Sequence, residues 1–466
     1  MVSVVAKPNR KHPTPMTQRS AQQGFDFHPN RPVHVTFDAP ETSSDGGLLL
    51  VRQAEQRLGL LRRIARCVPD TRNGSRVEHS REEQVRQRVL QIVMGYEDCN
   101  DADWLRRDPM LMTVCDRLPQ SDAGLSSQPS LSRFENAVTG QSLRKMLQEL
   151  ESSYVEGLPA DTQVVILDVD STDDETHGSQ QLTFFHGFYD QHMYHPLLVF
   201  DGEGQLVTAL LRPGNAHAAR SATSTLVRVI RRIKHRFPQA QVVVRGDSGF
   251  CIPRLLETLE ALDRELHDID YIMGLAKNAI LLQLAAPAIA EAKERFDSGT
   301  RYVRHFTEFK YAAQTWAHER RIILKAEHHE RGANPRFVVT TLQQIEPRTL
   351  YHIGYCARGQ SENHIKDLKN ALRADRLSCS RFVANFFRLL LHAIAYRLMF
   401  EVRRAARVAG EPQIAEMQFD TLRLRLLKVA ARVTQSARRI LVRLPRVFPL
   451  AGAFAAIAAA LTFVPS

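Results

Sequence analysis

The stretch DTQVVILDVDST, residues 161–172, carries the reading of the whole chain. Val164, Val165, Ile166 and Val169 are β-branched, and such stiff side chains pack well on a pleated surface, so the run predicts a buried strand. It closes on Asp170, followed by Ser171 and Thr172. A second run, QVVVRGDSGF (241–250), closes in the same way on Asp247 before a Ser-Gly turn. A lone aspartate at a strand end is most often a turn or cap residue. Two of them in one α/β unit suit a hard divalent cation such as Mg²⁺, which prefers oxygen ligands. Strand alternation puts Asp168 on the same face as Asp170. Asp170 is preferred because it stands at the exposed end of the strand, and Asp168 remains its rival.

Working outward, YHPLLVFDGEGQLVTALLRPGN (194–215) reads as two strands joined by Asp-Gly-Glu-Gly, a strong hairpin signal. SATSTLVRVIRRIKHRF (221–237) and IPRLLETLEALDREL (252–266) have helical periodicity, and YIMGLAKN (271–278) reads as a further strand. The fold class is therefore α/β: a mixed core over 159–280, a β-rich insertion over 281–345, and a second part of the core over 346–400. The insertion is read from RYVRHFTEFKYAAQTW, ERRIILKAEHH and PRFVVTTL. Before the core lie a flexible basic segment (1–30) and a helical region (31–158). Leu50, Ala54, Leu58, Leu61 and Ala65 there recur at helical spacing, as do Val85, Val89, Ile92 and Val93. That region is open to two readings, a DNA-reading helix-turn-helix or a plain bundle. A basic C-terminal region (401–466) contains ARRILVRL (437–444), a half-buried strand with one basic edge. It ends in an apolar tail, 447–465, that predicts a buried helix.

The third candidate element is YCARGQSENHIKDLK (355–369). At about 100° per residue, an α-helix sets Tyr355, Arg358, Glu362, Lys366 and Lys369 along one stripe. A carboxylate among cations and a phenol is suited to phosphates plus a metal. It is equally an ordinary solvated face with Glu362–Lys366 as an i,i+4 pair.

Net charge is +11 with 62 Lys and Arg, which favours a polyanionic partner, nucleic acid being the commonest. The six cysteines are dispersed without CxxC spacing, which fits a reducing compartment and offers no zinc site. The first twenty residues lack an apolar h-region, so no signal peptide is expected. No membrane span is expected either.

The spacing Tyr355-(2)-Arg358-(3)-Glu362-(6)-Lys369 resembles the signature of a large superfamily of bacterial insertion-sequence DDE transposases. MGYEDCNDADWLRRDP, SLSRFEN, LDVDSTDDETHG, YHPLLVFDGEG, RGDSGF and YCARGQSENHIKDLK are similar to one branch of it, the group numbered thirteen-eighty. The resemblance implies a ribonuclease-H-like core interrupted by the insertion. It implies Asp170, Asp247 and Glu362 as catalytic residues and ligands of two Mg²⁺ ions, for which Mn²⁺ substitutes. Tyr355, Arg358 and Lys369 match residues that hold DNA phosphates, and Lys366 joins their stripe. Trp316, in the insertion, is open to two readings: a platform for a base flipped out at the cut, or a core residue. The implied partners are double-stranded DNA, as terminal inverted repeats and target, and a second copy of the chain pairing two ends. The implied location is a bacterial cytoplasm, at the nucleoid. A stand-alone nuclease or resolvase, or a DNA-binding relic without catalysis, are the alternatives.

Overall fold

The computed structural model describes residues 23–25, 27, 31, 33–39, 41–299 and 302–462. Most of the segment 1–30, expected to be flexible, lies outside the described residues. The class is mixed α/β with several sheets, the largest having nine strands.

The two runs that end in aspartate form its centre. β1 (Val164–Ser171) is followed by the hairpin β2 (Leu197–Asp201) and β3 (Leu206–Leu210), then β4 (Gln241–Gly246) and β5 (Ile269–Leu275). β6 (Val303–Tyr311), β7 (Arg320–His329) and β8 (Arg336–Thr340) complete the main path, in the spatial order β6-β7-β8-β5-β4-β1-β2-β3. β1, β4 and β5 run parallel, and the remaining neighbours on this path are antiparallel. Alternation along β1 then divides the core. Val165, Leu167 and Val169 face the helices Ala222–Arg236 and Pro253–Leu266, whereas Asp168 and Asp170 face the opposite side.

The segment 281–345 departs from expectation in two ways. It opens in a helix, Ala279–Asp297, not in strands. Pro287 sits inside this helix but is exposed, so the carbonyl it leaves without a donor can meet water. Its strands also extend the central sheet, since β8 pairs with β5. Long-range pairing of this kind leaves no local signal in the sequence.

The N-terminal helices pack around Phe382–Val408 in one core shared with the C-terminal residues. The apolar pattern expected as one helix breaks at Gly59 (φ 59°) into Leu48–Leu58 and Leu60–Cys67. The tail forms the helix Ala451–Thr462 and buries Ala453, Ile457 and Leu461. Phe382–Val408 is the one described helix long and apolar enough to cross a membrane, and it is mostly buried within the protein.

The β2–β3 turn bears directly on the site. Gly204 has φ +86°, and a Cβ there would lie 2.2 Å from His364 Cε1. His364 stacks obliquely on Phe200, and burial pushes its imidazole down to about 4. The hairpin thus carries the short helix Ser361–Lys366 on its turn. Gly204→Ala should cost about 2–4 kcal/mol, combining a left-handed backbone with overpacking. Urea unfolding measures it; a loss below about 0.5 kcal/mol would mean that the turn does not hold the helix.

Candidate active site

Asp170 and Asp247 leave neighbouring parallel strands at the same end, the register running through Val169↔Gly246. Asp170 is buried. Its Oδ2 accepts from Arg358 Nη1 and from Ser361 Oγ, both at 3.0 Å, and its Oδ1 accepts from the Ser171 amide at 2.9 Å. Burial pushes its carboxyl up, Arg358 pulls it back, and the negative charge of Asp247 adds to the rise. Asp247 is half-buried and caps the turn Ser248–Phe250, accepting from the Gly249 amide at 2.8 Å.

Asp168 is different in kind. Arg245, its partner across the β1–β4 register, clasps both carboxylate oxygens at 2.6 Å. The same guanidinium donates to the Gly354 carbonyl at 2.8 Å, tying the helical segment above to the sheet. Asp168 is thereby locked in a buried pair with Arg245, whereas Asp170 lies nearer the strand end against Arg358 and Ser361.

The segment Leu350–Ala371 lies over this face, and its winding changes along its length. It is π-helical over Leu350–Tyr355, 3-10 over Cys356–Gln360, α over Ser361–Lys366 and π again over Asp367–Ala371. A uniform rotation per residue therefore misplaces its side chains. In a 3-10 turn residues three apart eclipse, so Ser361, not Glu362, shares Asp170 with Arg358. Glu362 and Lys366 are exposed, and neither makes an ion pair or side-chain hydrogen bond, with each other or with any described residue. Among the described residues no three His, Cys, Asp or Glu side chains converge as a metal cage. Glu362 therefore stands apart from Asp170 and Asp247 in this arrangement, on the exposed side of the segment.

Arg358 and Lys369 do reach the site. Burial works against the Arg358 guanidinium, but Asp170, Tyr355 and Asp247 around it raise its basicity overall. Lys369 Nζ donates to Asp173 Oδ1 at 2.9 Å and to the Asp173 carbonyl at 2.8 Å. Tyr355 is half-buried with its phenol raised by burial, near Arg358 and Asp247. Its Oη lies where a side chain on Gly274 would begin, 2.5 Å from an added Cβ. Beside it a cleft of about 280 Å³ is bordered by Ser248, Lys277, Arg336 and Tyr351.

Trp316 falls elsewhere. It belongs to the turn between β6 and β7, beyond the pair Tyr311↔Arg320. The register carries that turn toward the end of the sheet away from Asp247. Its ring packs edge-on to Tyr311 and lies under Arg320, 4.8 Å from the ring centre. It is a partly buried packing residue there. Sequence reasoning also passed over Tyr189, Ser361 and Arg245. Tyr189 lies in the small hairpin Phe184–Tyr194, where its burial-raised phenol feels Asp173, Asp170 and Asp247. Next to it Phe188 is 85% exposed, its ring set edge-to-face against Tyr189. The run FFHGFYD (184–190) was the available signal.

The site therefore sets two strand-end carboxylates at one end of an α/β sheet, with Arg358 on Asp170 and Lys369 on the adjoining Asp173. The family is fixed by sequence: residues 25–466 match the model described as Transposase DDE domain group 1, and the chain belongs to that family of transposases. Among curated proteins no sequence matches. Among solved structures it is similar to a piggyBac transposase in a cryo-EM synaptic complex with hairpin DNA. The identity is 10% and the TM-score 0.43, over 83% of this chain and 80% of that one.

Proposed function

We propose that the chain is a cut-and-paste insertion-sequence transposase of the group numbered thirteen-eighty, acting on DNA with Mg²⁺ through Asp170, Asp247 and Glu362. The observation that carries this reading is the meeting of Asp170 and Asp247 on adjacent parallel strands beneath the segment that delivers Arg358 and Lys369. The sheet order β3-β2-β1-β4-β5, with a three-stranded antiparallel start, supports a ribonuclease-H-like core.

Asp170 and Asp247 are hard oxygen donors close enough to feel each other's charge, and they fit a divalent ion. Glu362, exposed and unpaired one residue after Ser361, is the third ligand by resemblance. When bound, a pair of Mg²⁺ ions supplies charge stabilisation for the attacking and leaving oxygens of a phosphodiester, and Mn²⁺ can replace them. The chain's own groups position the phosphate: Arg358 offers a planar fork, Lys369 a point charge and Tyr355 a hydroxyl. In the first reaction water attacks phosphorus and the 3′-oxygen leaves. In the second that 3′-hydroxyl attacks a new phosphodiester, forming one P–O bond as another breaks. Work as a dimer on paired inverted repeats, in the bacterial cytoplasm at the nucleoid, completes the proposal.

The test is cleavage of a labelled inverted-repeat end with Mg²⁺ or Ca²⁺, using wild type and Glu362→Ala. Mg²⁺-dependent cutting at the element boundary, lost in the variant, supports the reading. Specific binding with no cutting under any divalent ion points to a relic, and cutting without end preference to a stand-alone nuclease. Lys369→Ala should also weaken DNA binding and lower the salt slope by up to about one phosphate contact, roughly 0.9 in log–log slope. An unchanged slope would mean that Asp173 holds the lysine throughout.

A further inference from the structure

Several arginines of the N-terminal region, where DNA reading was expected, are neutralised within the protein, while Arg66, Arg76, Arg107, Arg133 and Arg144 stay exposed, scattered over its helices and loops. Arg63 pairs with Glu149 and Glu156, Arg86 with Glu82 and Asp116, Arg88 with Glu135, and Arg117 with Glu83. Cations held this way have little charge left for a partner.

The C-terminal hairpin is the opposite case. Strands Ala431–Gln435 and Ile440–Arg443 pair antiparallel, and the sheet is completed by Thr42–Ser43. Val433, opposite Val442, is buried against the main core. The other face presents Arg432 directly opposite Arg443, and the turn adds Arg438 and Arg439. All four are exposed, as is Arg446 just beyond, and none pairs with an acidic side chain of any described residue. Glu41, beside the sheet, gives its carboxylate to Gln120 instead. Like charges directly opposite on a ladder destabilise it, so Arg432↔Arg443 is a cost the fold carries without internal compensation. Beyond its pairing with Thr42–Ser43 the hairpin projects as two strands and a turn, and its outward arginines have the charge to lie along a duplex.

We infer that the hairpin Ala431–Arg443 is a DNA-contacting element outside the catalytic face, its arginines taking backbone phosphates of duplex DNA. This rests on the transposase reading proposed above. Phosphate contacts fix position without reading sequence, so the ribbon holds the duplex while the specificity lies elsewhere.

The test uses the full chain and two double variants, Arg432→Gln/Arg443→Gln and Arg438→Gln/Arg439→Gln. Each is titrated with a labelled duplex carrying the inverted repeat and with an unrelated duplex, across a salt series. Each double variant is expected to weaken binding to both duplexes alike and to lower the log–log salt slope by up to about 1.8, two phosphate contacts. The thermal midpoint should stay level, or rise in Arg432→Gln/Arg443→Gln as the like-charge pair is relieved. Unchanged slopes and affinities in both variants, against a wild type that binds in a salt-dependent way, would overturn the ribbon and leave the transposase reading standing. A wild type that binds no duplex at all would overturn both. The turn pair Arg438/Arg439 keeps the test decisive if the strand variant unfolds.

Discussion

Asp168→Ala is expected to destabilise the fold by about 3–5 kcal/mol, the range for removing one partner of a buried ion pair. Both groups are almost fully buried, with side chains 4% and 5% exposed for Asp168 and Arg245, and the two hydrogen bonds are parallel and short at 2.6 Å. Without the carboxylate, Arg245 keeps only the Gly354 carbonyl while its charge stays out of water. Against a typical stability of about 5–15 kcal/mol, that loss is enough to leave much of the protein unfolded at growth temperature. Urea unfolding reads the loss directly. The double variant Asp168→Ala/Arg245→Met should recover most of it, because no unpaired charge remains. A loss under about 1 kcal/mol in the single variant would mean that water reaches Arg245, and Asp168 would return as a rival ligand.

Why Asp168 and Asp170 could be placed on one face but not told apart is instructive. Strand parity is local and readable from DTQVVILDVDST, whereas the partner that separates the two aspartates comes from a strand 77 residues away. The sheet centre was legible for the same local reason: β-branched runs, a Gly-containing hairpin turn and helices between strands. The joining of β8 to β5 was not, since pairing across the sheet is a long-range event. The helix Ala279–Asp297 was passed over because the segment was read from its later strand patterns; Pro287 inside it is tolerated at an exposed position. Arg358 and Lys369 were singled out by the same motif as Glu362, and the structure sets Arg358 on Asp170 and Lys369 on Asp173. Glu362 was placed beside the aspartates by the resemblance, and the change of winding along the segment, which sets it on the exposed side, has no signature in the sequence. The basic charge of the N-terminal helices was visible, but its neutralisation depends on acids tens of residues away. The unpaired arginines of the C-terminal hairpin stand out only after those pairs are known.

Asp170→Asn and Asp247→Asn are expected to reduce Mg²⁺-dependent cleavage by about 10³-fold or more while leaving the fold within about 1 kcal/mol of wild type. The contrast with Asp168 follows from their surroundings. Asparagine at 170 still offers one oxygen to Arg358 and to the Ser361 hydroxyl, and gives up only the bond from the part-buried Ser171 amide. It also removes a charge that burial and Asp247 already disfavour, which offsets the weakened pairing with Arg358. Asp247 keeps its cap on the Gly249 amide as an asparagine. What each change takes away is an anionic oxygen on the open side of the site, which a divalent ion needs and the fold does not. Thermal unfolding, duplex binding and cleavage measured on the same preparations separate these roles. Retained stability and binding with lost cleavage assigns both residues to the chemistry. Cleavage that survives either change would move the reaction away from this strand end, and cleavage lost together with stability would make that aspartate a structural partner like Asp168.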